Sequence, residues 1–226
     1  HFGLTAIAGG IATSEALTWC HVLHRVGRFR TLRSSIRHTG IGVRTSIPLF
    51  TLAALAILQY VDVFMVGKFD HAHVGSYTTL AQVSKLLVYV AFILTSFLLP
   101  ETALDNRAGR ESLRPLAFGG ILLSLVAIPL LVISMVASRS VLELIFPSRD
   151  LAESASLSIL VFAMWMLGLV VLCALYLLAV GSRGHLFGLV VLVLLSLAWV
   201  GAARGHPRDT AWHYTQVLTL GAVAFT

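Results

Sequence analysis

Charged residues are scarce in this sequence. They make up 12% of its 226 residues, whereas hydrophobic residues make up 58% and the mean hydropathy is +0.90. Soluble domains have about a quarter of their residues charged, so this composition excludes a soluble globular domain and predicts an integral membrane protein. The net charge of +6 does not then indicate nucleic-acid binding, because arginine and lysine mark the cytoplasmic side of membrane proteins.

The sequence also lacks the patterns that mark common catalytic and metal sites. Its two cysteines, Cys20 and Cys173, lie in apolar runs without the spacing of a metal or redox site. No Ser-His-Asp, HExxH or P-loop pattern occurs. His21 and His24 are three residues apart, but a zinc site needs further ligands. The sequence therefore predicts neither an enzyme nor a cofactor or metal centre.

Long apolar runs dominate the chain instead. A helix needs about 20 mostly apolar residues to cross a membrane, and lipid offers no partner to backbone groups outside helices and closed barrels. We therefore predict an all-α fold, a polytopic transmembrane helical bundle of about seven spans. The candidate spans are residues 2–23, 46–67, 75–99, 116–137, 155–180, 185–203 and 212–226.

Both ends of the sequence look like positions inside a longer chain. The first residue is His1, and the apolar run that includes Leu218 continues to the last residue. We therefore expect the chain to be a fragment of a larger polytopic protein, and to fold poorly without the rest of it. The first run has no basic residues before it and continues as an apolar run to residue 23, so a cleavable signal peptide is not predicted.

The loop between the first two predicted spans is strongly basic and contains no acidic residue. The positive-inside rule therefore places it in the cytoplasm. An amphipathic surface helix on anionic lipid is an alternative interpretation of the same residues. Composition changes most sharply here, so this loop is the best candidate for a boundary between lobes. Its arginines are Arg25, Arg28, Arg30, Arg33, Arg37 and Arg44.

Three ionisable residues, Glu15, Asp62 and Lys85, fall within predicted spans. Each costs about 3 kcal/mol at the centre of the bilayer on insertion scales, so each requires a partner or a function. At 1.5 Å per residue, Asp62 lies about 9 Å and Lys85 about 16 Å from the same membrane face. The two side chains can therefore pair between successive antiparallel helices. A structural ion pair and a functional cavity both remain open at this point.

Polar residues continue along one face of each of these two helices. Two polar stripes on neighbouring helices predict a shared water-accessible cavity, in which Lys85 suits a phosphate group and Asp62 suits a proton or sodium ion. Glu15 lies among small residues that favour close helix packing, and is a further candidate for lining a cavity. The stripes are Thr51, Gln59 and Asp62 on one helix, and Thr78, Gln82, Lys85, Tyr89 and Ser96 on the next.

Several of these residues lie in motifs that resemble a known family. Residues Asp62–Phe69 (DVFMVGKF), Val74–Tyr77 (VGSY) and Leu99–Glu101 (LPE) resemble the seventh and eighth helices of polysaccharide flippases. These flippases belong to the multidrug/oligosaccharidyl-lipid/polysaccharide exporter superfamily.

A second match follows further along the chain. Leu142–Phe146 and Ala179–Arg183 (AVGSR) resemble the family's outer loop and the end of its tenth helix, although Pro147 stands where the family often has glycine. The resemblance covers residues 40–190 of the sequence.

The resemblance implies a V-shaped pair of helical bundles that works by alternating access. In this arrangement residues 1–23 are the last helix of the amino-terminal lobe. Residues 24–44 are a basic cytoplasmic linker between the lobes, and residues 45–226 are the carboxy-terminal transmembrane lobe. The implied location is the bacterial inner membrane, and the implied activity is flipping of an oligosaccharide linked to a lipid diphosphate, without enzymatic chemistry.

The resemblance also implies roles for single residues. Lys85 would contact the diphosphate of the lipid-linked oligosaccharide, with Gln82, Tyr89 and Gln59 lining the substrate cavity. Asp62 would balance Lys85 or bind the coupling ion, H⁺ or Na⁺, and Glu15 is a second candidate for that role. The implied partners are this substrate and membrane lipids, with no nucleic acid.

Three other functions stay open. A cation-coupled multidrug antiporter of the same superfamily would have an acidic cavity, so the basic Lys85 favours the flippase. A membrane-embedded glycan-processing enzyme would have a large outer loop with paired arginines or carboxylates, whereas the outer loops predicted here are short. A purely structural subunit would tolerate simultaneous neutralisation of Asp62 and Lys85.

Overall fold

A computed structural model describes residues 41–71, 73–107, 113–145, 156–182, 184–202 and 207–225 of the chain. The described residues are 95% helical and include no strand, which confirms the predicted all-α class. The chain divides into two compact units, His1–Arg44 and Thr45–Thr226. Glu15, the first predicted span and most of the basic loop lie outside the described residues, and the assignment of lobes and linker stays a prediction.

The helices follow one another with short connections. Lys85 alone separates the second helix from the third, and its carbonyl accepts hydrogen bonds from the amides of both Val88 (3.0 Å) and Tyr89 (3.2 Å). The two helices therefore form one nearly continuous rod with a local irregularity at Lys85. The bounds are α1 (Ile41–Phe69), α2 (Val74–Ser84), α3 (Leu86–Arg107), α4 (Arg114–Val136), α5 (Ser138–Ile145), α6 (Leu157–Val180), α7 (Gly184–Ala202) and α8 (Pro207–Phe225).

Five stretches of the described chain are long and apolar enough to cross a membrane. They are Ser46–Phe69 in α1, Val74–Leu104 across α2 and α3, and the whole of α4, α6 and α7. This composition agrees with the prediction of a multi-pass membrane bundle. The predicted span at the end of the sequence is helical as α8, but it is not among the five, because Arg208, Asp209, His213 and Gln216 make its first half polar.

Helix α6 forms the centre of the bundle. It is apolar on every side, as expected for a helix surrounded by other helices, and fourteen of its residues are buried. It packs against α2, α3, α4 and α8. It ends at Gly181, whose φ of 81° is left-handed and whose amide bonds to the Leu178 carbonyl, with Ser182 bonding to Leu177. Glycine ends helices in this way because it has no Cβ to clash.

Gly168, in the middle of α6, lets two neighbouring helices approach closely. A Cβ placed on it would lie 2.9 Å from a methyl carbon of Leu123 on α4 and 3.5 Å from Cβ of Ala91 on α3. Leu123 and Ala91 are both fully buried, so neither can move aside without disturbing the core. Small residues serve this purpose at helix interfaces in membranes.

We expect Gly168→Val to lower the free energy of unfolding by about 1–3 kcal/mol, because overpacking forces side chains and helices apart. Thermal unfolding in detergent measures the change. Gly201→Val is the matched control, since no atom of the bundle lies within 4 Å of a Cβ at that position. Equal loss in both variants would show that the effect comes from the glycine-to-valine change itself and not from the contact with Leu123.

Candidate functional site

Asp62 on α1 is completely buried inside the bundle. Its Oδ2 accepts a hydrogen bond of 3.2 Å from the hydroxyl of Tyr77 on α2, which is also completely buried. Its other oxygen, Oδ1, has no hydrogen-bond partner among the described residues. One side of the carboxyl group is therefore fixed by Tyr77, and the other side is available to a further donor.

Lys85, at the junction of α2 and α3, is the second charged residue of the interior. It has no exposed surface, and its Nζ lies 4.0 Å from the centre of the Tyr60 ring. This is the geometry of a cation–π contact, which contributes about 0.5–2 kcal/mol. Within the described chain Nζ has no hydrogen-bond partner. The ammonium group is thus held by an aromatic face and keeps its three donors.

Asp62 and Lys85 share an electrostatic interaction without direct contact. Their charges interact, but the direct ion pairs of the described residues are elsewhere, between Asp70 and His73 and between Arg139 and Glu143. A structural ion pair in a low-dielectric interior needs hydrogen-bonded geometry to offset desolvation. The two groups therefore interact through the bundle interior without the hydrogen-bonded geometry of a direct ion pair.

Gln59 adds a third polar group to the same region. It lies three residues before Asp62, on the same face of α1, and is only 6% exposed. In the described structure its Nε2 has no hydrogen-bond partner. Gln59 and Lys85 thus offer donors and Asp62 offers an acceptor, which suits a ligand with several acceptor oxygens and one exchangeable proton. We call Gln59, Asp62, Tyr77 and Lys85 the charged site.

Tyr214 on α8, near the end of the sequence, contacts α1 next to the charged site. It is completely buried, and its hydroxyl donates a hydrogen bond to the Leu58 carbonyl, one turn before Asp62. Helices α1, α2 and α8 are therefore joined by hydrogen bonds in the part of α1 that includes Leu58 and Asp62.

Helix α1 is held both by apolar packing and by polar side chains. Ala54, Leu55, Leu58, Val61 and Val66 are buried in the hydrophobic core. Besides the bonds from Tyr77 and Tyr214, Thr51 Oγ1 lies 3.2 Å from Nε2 of buried His185 on α7. The other ring nitrogen of His185 donates to the Ser182 carbonyl at 2.6 Å. Hydrogen bonds between helices are worth about 0.6–2 kcal/mol each in membranes, so the bonds from Tyr77 and Tyr214 add to the apolar packing that positions α1.

The structure brings together only part of the predicted site. Lys85, Asp62 and Gln59 are buried in one region, whereas Gln82 and Tyr89 are exposed on the surface of α2 and α3. The hydroxyls of the predicted stripes bond to their own helices: Thr51 to Ile47, Thr78 to Val74 and Ser96 to Phe92. Such bonds are the usual way to satisfy a hydroxyl in a membrane helix, and the substrate contacts of Gln82 and Tyr89 stay predictions.

Sequence reasoning missed three aromatic residues of this region. Tyr60 lies two residues before Asp62, and Tyr77 belongs to the VGSY motif, so proximity along the chain was a usable signal for both. Tyr214 is far away in sequence, and nothing in the pattern of α8 connects it to α1. Only the packing of α8 reveals its role.

The described residues contain no group of three or more histidine, cysteine, aspartate or glutamate side chains placed to hold a metal ion. The sequence matches no protein-family model, and searches among curated proteins and among solved structures give no match. The family resemblance of the motifs therefore stays a prediction, and the chain's own geometry has to support a function.

Proposed function

We propose that this membrane protein is a transporter that flips a lipid-linked oligosaccharide by alternating access, with the charged site binding its diphosphate. The observation that supports this most strongly is the state of Lys85. Its ammonium group is completely buried in a membrane-spanning helix, yet in the described chain it has no hydrogen-bonded partner. A cation kept in this state is costly, and a polyanionic ligand would compensate the cost.

The neighbours of Lys85 fit a phosphate ligand. Charge-assisted hydrogen bonds from lysine to phosphate oxygens are short and strong, and the Gln59 amide adds donors from α1. Tyr60 is 43% exposed while its ring covers the ammonium group. In this proposal the ring separates Lys85 from the exterior, and rotation of the Tyr60 side chain gives a phosphate access to Nζ. The proposed location is the bacterial inner membrane, in polysaccharide or lipopolysaccharide precursor export.

Asp62 supports a second candidate, a cation-coupled multidrug antiporter. Its Oδ1 is buried without a hydrogen-bond partner in the described structure, and intramembrane carboxylates of this kind bind protons, coupling ions or cationic substrates. In the flippase proposal the same oxygen takes the coupling ion, H⁺ or Na⁺. The two functions differ in which charge meets the substrate: Lys85 for the lipid diphosphate, and Asp62 for an organic cation.

The test is complementation of surface-polysaccharide export in a flippase-deficient strain, at matched membrane abundance. The variant that separates the proposals is the neutral pair Asp62→Asn with Lys85→Gln, which removes both charges and leaves neither one uncompensated. We expect this pair to reach normal abundance and to lose export by at least about tenfold, because a single charge-assisted contact is worth about 1.5–3 kcal/mol. Glu143→Gln, at an exposed position of α5, is the control for a charged residue outside the charged site.

Other outcomes decide against the flippase. If the neutral pair or the charge-swapped pair Asp62→Lys with Lys85→Asp exports normally, the charges serve structure only. If export never depends on the gene but resistance to cationic drugs does, and Asp62→Asn abolishes that resistance, the antiporter is the better assignment.

A further inference from the structure

An apolar groove of 680 Å³ lies on the surface formed by α6, α7 and α8, and includes none of the residues of the charged site. Leu195 and Trp199 of α7 and Trp212 and Leu220 of α8 line it. Trp199, Trp212 and Leu220 are each more than half exposed. The groove therefore opens away from the helical core, towards the surroundings of the bundle, which are lipid at the level of a membrane-spanning helix such as α7.

The groove is lined by apolar groups and has few hydrogen-bonding groups available to a ligand. Two threonines line it, but their hydroxyls bond back to their own helix: Thr215 donates to the Ala211 carbonyl and Thr219 to the Thr215 carbonyl, both at 2.8 Å. The groove is thus left with their methyl groups beside leucine and aromatic carbon. An acyl chain satisfies such a surface without leaving a polar group unpaired.

One end of the groove is polar and rich in donors. The Trp199 indole donates to Oε1 of Gln216 at 3.0 Å, and Nδ1 of His213 donates to the Trp199 carbonyl at 3.1 Å. Because the Gln216 side-chain oxygen accepts the hydrogen bond from Trp199, the Gln216 NH₂ group is the part of this side chain that can donate to a ligand. Tryptophan at this position is typical of the level of lipid headgroups.

Arg208 places a positive charge on the same face of α8 as Trp212 and Gln216. Arg208 is exposed and lies four residues before Trp212 and eight before Gln216, so the three residues form one stripe along the helix. Asp209 is the next residue, about 100° further around the helix axis. Along α8 from its first turn, the stripe therefore presents the positive charge of Arg208, then the donors of Trp212 and Gln216, and then the apolar part of the groove.

We propose that this groove binds an anionic phospholipid, with one acyl chain in the groove and the phosphate at Arg208. The order of cation, donors and hydrocarbon along the stripe matches the order of phosphate, ester and chain along such a lipid. A zwitterionic lipid would gain less, because its own cation offsets the charge that Arg208 recognises. A transmembrane helix of another protein is a poorer match, because close helix pairing uses small residues, whereas tryptophan and leucine line this groove.

The test uses the complete chain in nanodiscs, with Trp19→Phe and Trp165→Phe so that Trp199 and Trp212 are the fluorescent residues. Phosphatidylglycerol or phosphatidylcholine carrying bromine on an acyl chain is titrated in, and quenching is measured. We expect phosphatidylglycerol to quench at about fivefold lower mole fraction, because a cation at an anionic lipid contributes about 1 kcal/mol. Arg208→Gln should remove this preference, whereas Arg139→Gln, an exposed arginine of α5 that does not line the groove, should keep it.

Three outcomes would overturn the proposal. Equal quenching by both lipids would mean that the groove holds only the bulk lipid that surrounds any membrane protein. A preference that survives Arg208→Gln would place the anionic group elsewhere. Absence of quenching by either lipid would mean that a polypeptide segment covers the groove. Circular dichroism of each variant verifies that helicity is unchanged before quenching is compared.

Discussion

Lys85→Met should destabilise the protein by about 3–5 kcal/mol, because it leaves Asp62 as an uncompensated carboxylate in the bundle interior. Asp62→Asn should cost a comparable amount for the converse reason, since it leaves the buried ammonium group with only the Tyr60 ring. The double variant Lys85→Met with Asp62→Asn should recover most of the loss, because replacing both members of a buried charge pair is often neutral or stabilising. Thermal unfolding of the purified protein in detergent measures all three.

The interpretation depends on the coupling between the two positions. The interaction energy from the double-mutant cycle should be large although Asp62 and Lys85 make no direct contact, because electrostatic interactions are weakly screened in a low-dielectric interior. Lys68→Met is the matched control: Lys68 is an exposed lysine at the end of α1, and its ammonium group also lies near an aromatic ring, at 5.3 Å from Phe69. Additive losses at positions 62 and 85 would refute the pairing of their charges, and a control loss as large as that of Lys85→Met would refute burial as the cause.

Tyr214→Ala should have the second large effect, a loss of about 3–5 kcal/mol, because it empties the volume of a completely buried aromatic ring. It also removes the hydrogen bond to the Leu58 carbonyl, which connects α8 to the turn of α1 that precedes Asp62. Tyr214→Phe keeps the ring and loses the hydroxyl, so we expect it to cost about 1–2 kcal/mol. Unfolding in detergent gives both values.

Hydrogen exchange along the chain distinguishes a local effect of the Tyr214 hydroxyl on α1 from a loss of global stability. If Tyr214 positions α1, hydrogen exchange in Tyr214→Phe should rise in the part of α1 around Leu58 and Asp62 more than in α6. Tyr89→Phe, which removes an exposed tyrosine hydroxyl from α3, should leave exchange in α1 unchanged. An increase spread evenly over all helices in Tyr214→Phe would argue that the hydroxyl contributes only to global stability.

Much of the fold followed from local sequence. A backbone in lipid must satisfy its hydrogen bonds internally, so runs such as Leu157–Val180 could only be helices, and the structure has them as helices. The segment after residue 207 was harder, because its first half is polar and its second half apolar. The sequence-based prediction treated it as a span, whereas Arg208, Asp209 and His213 keep α8 below the composition of the other spans.

The candidate site could be predicted only in part. Asp62, Lys85 and Gln59 were identified because a polar residue in an apolar run is costly and therefore conspicuous. The exposure of Gln82 and Tyr89 could not be predicted, since helical spacing tells which residues share a face but not which way that face is turned. The aromatic partners gave no such signal, because tyrosine is common in membrane helices and its cost there is small.

By itself the sequence determined that this is a helical membrane protein, where the five apolar spans of the described chain lie, and that two opposite charges are carried into the interior. These properties depend on composition and on hydrogen bonds within each segment. The tertiary structure decided that Lys85 faces Tyr60 while Asp62 faces Tyr77, and that Tyr214 reaches Leu58 from the far end of the chain. Those contacts depend on how each helix is rotated about its axis, which is set by packing against its neighbours and is not encoded within any one helix.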